Sequence, residues 1–186
     1  LAETKRLSAA IQSGSRIVAL DGLTSIAAKA FVLSQASVSN GKTLVVVTDN
    51  NASLETWESD LNFWNSQKIG TTDEKEQSAI RNPQSATILS LHSFETDVYS
   101  GGSPHAETME RRALTLWQMT RSQPTVLIVS ARSLVSRTDT PDQVRELGAV
   151  LKIDEDVAPE NLVARLASAG YVREDPIYNF GQFSVR

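Results

Sequence analysis

The chain contains no cysteine among its 186 residues, and it has only two histidines. The absence of cysteine excludes a disulfide framework, thiolate catalysis and metal sites with sulfur ligands. The chain also lacks an excess of basic residues, because 18 Lys and Arg stand against 22 Asp and Glu, a formal net charge of -4. No overall positive field therefore draws it to nucleic acid or to an anionic membrane. Any contact with DNA must be local or must belong to another part of a larger protein.

Long apolar runs are missing as well. No stretch approaches the roughly 18 apolar residues that a membrane-spanning helix needs, and the start of the chain lacks the apolar segment of a signal peptide. We therefore expect a cytoplasmic protein. With 40% hydrophobic residues, a chain of this length can bury the core of one α/β domain and the beginning of a second.

Short apolar runs, rich in Leu and β-branched residues, alternate with longer helical patterns. Because the runs are apolar on both faces, they indicate parallel strands that helices cover. The order predicts an α/β fold with a doubly wound, mostly parallel sheet and helices on both faces, over about the first 145 residues. The predicted strands are residues 16–21, 43–48, 87–91 and 125–130.

Amphipathic helices are predicted for residues 24–37, 53–64 and 106–120. In the third helix the pattern leaves Arg111 and Arg112 away from the apolar face. The side chains expected to form the core between these helices and the sheet are Leu54, Trp57, Leu61, Met109, Leu116 and Trp117.

The later part of the chain breaks this rhythm. Residues 65–85 are predicted to be an exposed, inserted loop, and residues 138–143 mark a candidate boundary. Beyond it the pattern predicts a strand at 148–153, a helix between Pro159 and Gly170, and an extended tail without a partner strand. We therefore divide the chain into residues 1–147 and residues 148–186, the second being the truncated beginning of a further domain.

The loop after the first predicted strand is the first place to look for phosphate chemistry, because such sites lie beside a helix N-terminus at the carboxyl end of a strand. On the P-loop pattern G-x-x-x-x-G-K-[ST], Gly22 takes the first glycine position. Ala27, Ala28 and Lys29 replace the second glycine, the lysine and the metal-binding hydroxyl. Without the second glycine the backbone cannot approach a phosphate closely, and without the lysine no positive charge faces the phosphates. Without the hydroxyl the loop loses a ligand for the metal ion. The pattern predicts a degenerate P-loop.

An ordinary turn into a helix explains the same residues, with Gly22 supplying backbone freedom and Thr24 or Ser25 capping the helix. In the segment 149–156 an apolar run leads into three acidic residues and resembles a metal-binding Walker B segment, but such a segment has no use without a working P-loop. His92 and His105 belong to no metal-binding helix motif. We expect no catalytic residue, no metal and no cofactor in this chain.

Motifs spread over nearly the whole chain resemble a known family. They comprise Gly22-Leu23-Thr24, residues 93–100 with Ser103-Pro104-His105, residues 112–114 and 126–129, then Leu162, Leu166, Gly170-Tyr171 and residues 181–186. Together they resemble the N-terminal part of bacterial transcription-repair coupling factors, the part similar to the excision nuclease protein UvrB. The chain departs from the family at Asp97-Val98, where the family has Leu-Pro.

The resemblance implies a function through a partner. It implies that the whole protein is an ATP-driven DNA translocase that displaces stalled RNA polymerase and recruits the excision nuclease protein UvrA. The regions that bind RNA polymerase and double-stranded DNA would lie beyond Arg186. This chain would then be a non-catalytic module that helps to dock UvrA, and the resemblance places Arg186 on the docking surface.

Two alternatives stay open at this point. The first is that the chain is UvrB or another divergent P-loop NTPase. UvrB carries an intact P-loop, so in this case the chain would have to bind ATP at residues 22–29. An unrelated α/β domain for a small ligand would show a partly apolar pocket at the carboxyl ends of the strands.

Overall fold

A computed structural model describes residues 2–35, 42–69, 87–97, 99, 101–154, 156–179 and 181–185, with side chains except at 2–4 and 67–69. Within these ranges no helix is both long and apolar enough to cross a membrane. The elements in chain order are α1 (Ala2–Gln12), α2 (Ile26–Gln35), β1 (Leu44–Thr48), α3 (Asn51–Ile69), β2 (Ile88–Leu91), α4 (Ala106–Arg121), β3 (Val126–Ser130), α5 (Ala131–Val135), α6 (Pro141–Leu147), α7 (Pro159–Ser168), β4 (Val172–Arg173) and β5 (Gln182–Phe183).

Three of the predicted strands form a parallel sheet in the order β1-β3-β2. In its register both Leu44 and Ile88 lie opposite Val126, so β3 is the central strand. Parallel neighbours need helical crossovers, and α3 and α4 supply them. The α/β class with a parallel sheet is thus confirmed. The doubly wound arrangement stays a prediction, because Val45 and Val47 on one face of β1 are 50% and 56% exposed.

The core lies on the opposite face of this sheet. Leu54 and Leu61 are two helical turns apart in α3, so both project toward the strands, and they are 0% and 1% exposed. Trp57 and Trp64 pack against this cluster from the same helix, as the spacing predicted for Trp57. The buried members of the cluster are Ala30, Val46, Leu54, Leu61, Val126 and Ile128. The elements from α2 to α5, between residues 26 and 135, are called the sheet region below.

The predicted strand at residues 16–21 is wrong. The segment has no strand assignment, and Ile17 is 90% exposed. An apolar run can specify an extended chain, but a strand also needs a neighbouring edge whose backbone groups are free to pair. The outer edge of β2 is covered by side chains of α4, as described next, so only the edge of β1 is open to this segment, and residues 16–21 do not pair there.

The predicted buried face of α4 is also partly wrong. Met109 and Ala113 are exposed and Leu116 and Trp117 only half-buried, whereas Arg112 is 3% exposed. The reason is that α4 packs on the outer edge of β2, where alternate carbonyl groups point away from the sheet. The helix meets these carbonyls with hydrogen-bond donors. Thr115 Oγ1 donates to Ser90 O at 2.7 Å, and Arg112 Nη1 donates to His92 O at 2.7 Å.

Residues 140–185, called the C-terminal region, begin with α6. Thr140 caps this helix, and Gln143 completes a capping box, so the predicted boundary at 138–143 overlaps a helix start. The predicted strand at 148–153 is wrong, since these exposed residues form no strand. Arg165 Nη1 donates to Gly148 O, linking this segment to α7.

The helix predicted between Pro159 and Gly170 is confirmed as α7. Gly170, at φ +89°, ends it in a Schellman motif, with Tyr171 N donating to Leu166 O. The tail expected to lack a partner pairs instead: β5 lies parallel to β4. Two-residue strands are too short to leave an alternating pattern in the sequence. Of the predicted loop at 65–85, residues up to Ile69 belong to α3, and the rest lies outside the described residues.

Candidate functional site

The degenerate P-loop forms an exposed turn followed by the first turn of α2. Gly22 has φ +82°, a conformation that favours glycine. Ser25 caps the helix, because its Oγ accepts the backbone N–H of Ala28 at 3.2 Å. A helix N-terminus binds phosphate through such free N–H groups, and here one of them is already used by Ser25. Thr24 lies in the turn just before this cap.

The structure thus brings the five predicted loop residues together on one short segment: Gly22, Thr24, Ala27, Ala28 and Lys29. The segment follows an unpaired stretch of chain rather than a strand of the sheet. It therefore lacks the strand that positions a phosphate loop in doubly wound folds. The absence of nucleotide binding stays a prediction.

The segment 149–156, which resembled a Walker B segment, does not belong to the three-stranded sheet either. Its described residues are exposed, and Asp154 has φ 64° in a turn before α7. Glu155 lies outside the described residues. The carboxylate of Asp154 therefore lies in a turn and is exposed to solvent.

Polar side chains gather instead at the carboxyl edge of the sheet, where β1 and β2 end. Asn51, the first residue of α3, exchanges two hydrogen bonds with the residue that follows β2 by two positions. Its Nδ2 donates to Ser93 O at 2.8 Å, and its Oδ1 accepts the Ser93 N–H at 2.9 Å. Both residues are buried. This pair fixes the position of α3 relative to the end of β2.

The N-terminus of α3 is occupied by polar side chains of the chain itself. Glu95 Oε1 accepts the backbone N–H of Asn51 at 2.9 Å, and Asn50 Oδ1 accepts that of Ser53 at 2.8 Å. A side-chain hydrogen bond with Ser53 lowers the pKa of Asp49, which keeps this carboxyl ionised beside the positive end of the helix dipole. An external anion would have to displace these groups.

A cavity of about 270 Å³ opens beside this cluster. Its charged lining consists of three carboxylates and one guanidinium, and Arg111 spans two of these carboxylates. Arg111 Nη1 lies 3.3 Å from Glu55 Oε1 and Nη2 lies 2.7 Å from Glu107 Oε1. The lining residues are Asn51, Ala52, Glu55, His92, Glu95, Glu107, Thr108 and Arg111. We call this the edge cavity.

His92 forms the floor of the edge cavity. It is 2% exposed, and neither ring nitrogen has a hydrogen-bond partner within the described part of the chain. Its Nε2 lies 3.7 Å from Glu55 Oε1, beyond hydrogen-bond distance. His105 is placed elsewhere, at the N-cap of α4.

Behind the floor, Arg112 is buried with no carboxylate paired to it among the described residues. Its guanidinium lies 4.9 Å from the centre of the Phe94 ring, a cation–π contact. Burial lowers the pKa of Arg112, because the charged form loses hydration.

Sequence reasoning missed the edge cavity. It named residues only where the sequence resembled a P-loop or a Walker B segment, whereas the rule that ligand sites lie at carboxyl ends applies to every parallel strand. Applied to β1 and β2, the rule would have singled out Asp49, Asn51 and His92 to Glu95. Arg186, the predicted docking residue, lies outside the described residues.

Several large side chains around β4 and β5 are exposed in the part of the chain that the structure describes. Their exposed fractions range from 45% at Tyr171 to 74% at Tyr178. The exposed set comprises Tyr171, Val172, Ile177 and Tyr178. We call it the tail surface.

Comparison with known proteins gives one informative match. No protein-family model matches the chain. The chain is 29% identical over 99 residues to the transcription-repair-coupling factor of Escherichia coli (strain K12). This match supports a relationship with the coupling factors. It covers 53% of the chain but only 9% of the coupling factor, so the chain corresponds to a small part of that protein.

Proposed function

We propose that this chain is an N-terminal module of a transcription-repair coupling factor that recruits the excision nuclease protein UvrA and performs no catalysis itself. The partial match to the E. coli coupling factor carries the proposal. In this assignment, residues 1–147 form the domain similar to UvrB, and residues 148–186 begin the docking domain. The whole protein would work in the cytoplasm as an ATP-driven DNA translocase acting on stalled RNA polymerase.

Two features of the chain agree with a docking role. The helices α6 and α7 of the C-terminal region contain no fully buried residue, and Leu147 at the end of α6 is 37% exposed, so part of their apolar surface is available to a partner. The tail surface combines two tyrosines with aliphatic residues, and aromatic side chains supply much of the energy at the centre of protein interfaces. Arg186 follows the last residue of β5 by three positions in the sequence.

Docking is tested by titrating purified UvrA against the chain and measuring affinity by biolayer interferometry. We expect Arg186→Ala and Tyr178→Ala each to weaken binding by about thirtyfold, the effect of losing a central contact worth about 2 kcal/mol. Arg132→Ala is the matched control, because this arginine is exposed on α5 in the sheet region, outside the C-terminal region. Circular dichroism checks that each variant is folded.

Equal affinities for the wild type and both tail variants would remove this surface from the interface. Tyr178 is useful here because a side chain that is 74% exposed contributes little to folding, so its loss does not act through unfolding. If UvrA does not bind the wild type at all, the recruitment role is wrong.

The second candidate is a divergent P-loop NTPase, including UvrB. Gly22 and the helix that follows the loop favour it, since a P-loop also begins with a glycine and leads into a helix. Calorimetric titration with magnesium and ATP distinguishes the two proposals. We expect no heat of binding, whereas micromolar affinity abolished by Gly22→Val would establish the NTPase.

A further inference from the structure

We propose that the edge cavity binds the guanidinium group of an arginine carried by a partner peptide. The inference rests on the residues of the cavity and holds whether or not the docking role is correct. It concerns a different face of the chain, at the carboxyl ends of β1 and β2 rather than at β4 and β5.

The first argument is charge. Glu55, Glu95 and Glu107 outweigh the one guanidinium of Arg111 in the lining, so the cavity attracts cations. Each carboxylate has capacity left after the contacts it makes. Glu95, for example, gives one oxygen to the N–H of Asn51, which leaves its other oxygen for a ligand.

The second argument is independent of the acidic residues. His92 is only 2% exposed and lines the cavity, and neither of its ring nitrogens has a hydrogen-bond partner among the described residues. A neutral imidazole has one nitrogen that accepts a hydrogen bond, and leaving that nitrogen unpaired in the interior destabilises the fold. Glu55 is 56% exposed, so its side chain can rotate to admit a donor between its carboxylate and His92 Nε2. Such a donor would satisfy both groups.

The third argument selects guanidinium. A planar group with several N–H donors can contact two carboxylates and the imidazole nitrogen at once, whereas a single ammonium is a compact point charge. The protein already shows this chemistry, because Arg111 spans Glu55 and Glu107 at the rim. Arg111 is therefore an internal competitor of the incoming group. The volume of about 270 Å³ suits a single side chain rather than a larger ligand.

The test uses N-acetyl-L-arginine amide as the probe and the imidazole carbon–hydrogen signals of the chain as the readout in NMR at pH 7.5. With two histidines in the sequence, His105→Gln assigns both sets of signals. We expect saturable shifts of the His92 signals that exceed those of His105. N-acetyl-L-citrulline amide, which has nearly the same shape without the charge, should give none.

Variants give effects of opposite sign. Glu55→Gln should lower the affinity for the probe about fivefold, as expected for the loss of one partly buried charge pair. Arg111→Gln should raise this affinity about threefold, because it frees two carboxylates. The controls are Asp142→Asn and Arg145→Gln, an exposed pair of the same types on α6, and both should leave the affinity unchanged. A structural role of Arg111 alone would predict a loss, not a gain.

Three results would overturn the proposal: no saturable shift at His92, an equal shift with the citrulline probe, or weaker binding after Arg111→Gln in a protein that circular dichroism shows to be folded. The source of the guanidinium is tested separately with free L-arginine. Its α-carboxylate would be repelled by the acidic rim, so we expect the capped probe to bind more tightly. If free L-arginine binds more tightly than the capped probe, the ligand is a small molecule and not a partner peptide, which contradicts the proposal.

Discussion

The sheet region buries side chains completely, with Leu54 and Ile128 at 0% exposure, whereas the helices α6 and α7 of the C-terminal region contain no buried residue. The first region is stabilised by removal of apolar surface from water. The second depends on local devices: a capping box at Thr140, a Schellman motif at Gly170 and the ion pair between Asp142 and Arg145. Regions without a core gain the most stability from a bound partner, which agrees with the docking role proposed for the C-terminal region.

The largest expected effect tests the core side of this comparison. Leu54→Ala should lower the free energy of unfolding by about 3 kcal/mol, because it removes buried methyl groups and leaves a cavity. Leu151→Ala, in the C-terminal region, makes the same chemical change at a side chain that is 58% exposed, and it should cost less than about 0.5 kcal/mol. Urea unfolding followed by circular dichroism measures both. Equal losses would mean that the two regions are buried alike.

The next prediction concerns the contact between the two regions. Gly148 lies against the indole of Trp117 in α4, so a methyl group at this position would overlap the ring. Its φ of -82° and ψ of 150° suit alanine, which leaves packing as the source of any loss. Gly148→Ala should therefore cost about 2 kcal/mol in urea unfolding.

Trp117→Leu provides the control for this contact. In that background Gly148→Ala should be nearly neutral, because the smaller side chain gives room to the methyl group. A loss of the same size in both backgrounds would show that the indole is not the obstacle, and that the two regions do not meet there.

A smaller effect tests the polar contact of α4 with β2. Thr115→Val keeps the shape of a buried side chain but removes its hydrogen bond to Ser90 O, so it should cost about 1.5 kcal/mol. Thr56→Val removes a comparable hydrogen bond, to Ala52 O within α3, at an exposed position and should cost much less. If both variants unfold at the same urea concentration, the contact does not hold α4 on the sheet edge.

The smallest effect tests whether the C-terminal region unfolds by itself. Thr140→Ala removes the cap of α6 and should destabilise this helix by about 1 kcal/mol. Hydrogen exchange should then be faster in α6 but unchanged in β3, with Thr138→Ala, an exposed threonine outside the helix, as the control. Faster exchange in β3 as well would make the two regions one cooperative unit.

Much of the sheet region could be predicted from the sequence. Three strands and the helices α3 and α4 lie where the runs and periodicities placed them, because burial on a sheet leaves a pattern within each segment. Two features could not be predicted from such a pattern. Residues 16–21 have the apolar run of a strand but do not pair with the described sheet, and Arg112 faces inward because carbonyl groups of β2 need donors there.

The candidate site was harder to predict for a related reason. Asn51 and Ser93 are 42 positions apart and match no motif, and only the parallel arrangement of β1 and β2 brings them together. The degenerate P-loop, by contrast, is contiguous in the chain, so its residues could be compared with a known pattern directly. Contiguous sites are visible in a sequence, and sites assembled by topology are visible only once the strand order is known.

The covering of the outer edge of β2 by Thr115 and Arg112 also limits how copies of this chain can misassemble. Fibrils grow when both edges of a sheet accept further strands, since each added chain must offer a new edge to the next. Here a strand arriving at β2 would first have to displace two buried side-chain hydrogen bonds. Pairing through this sheet can therefore start only at β1, and two chains joined at that edge offer no free edge for a third.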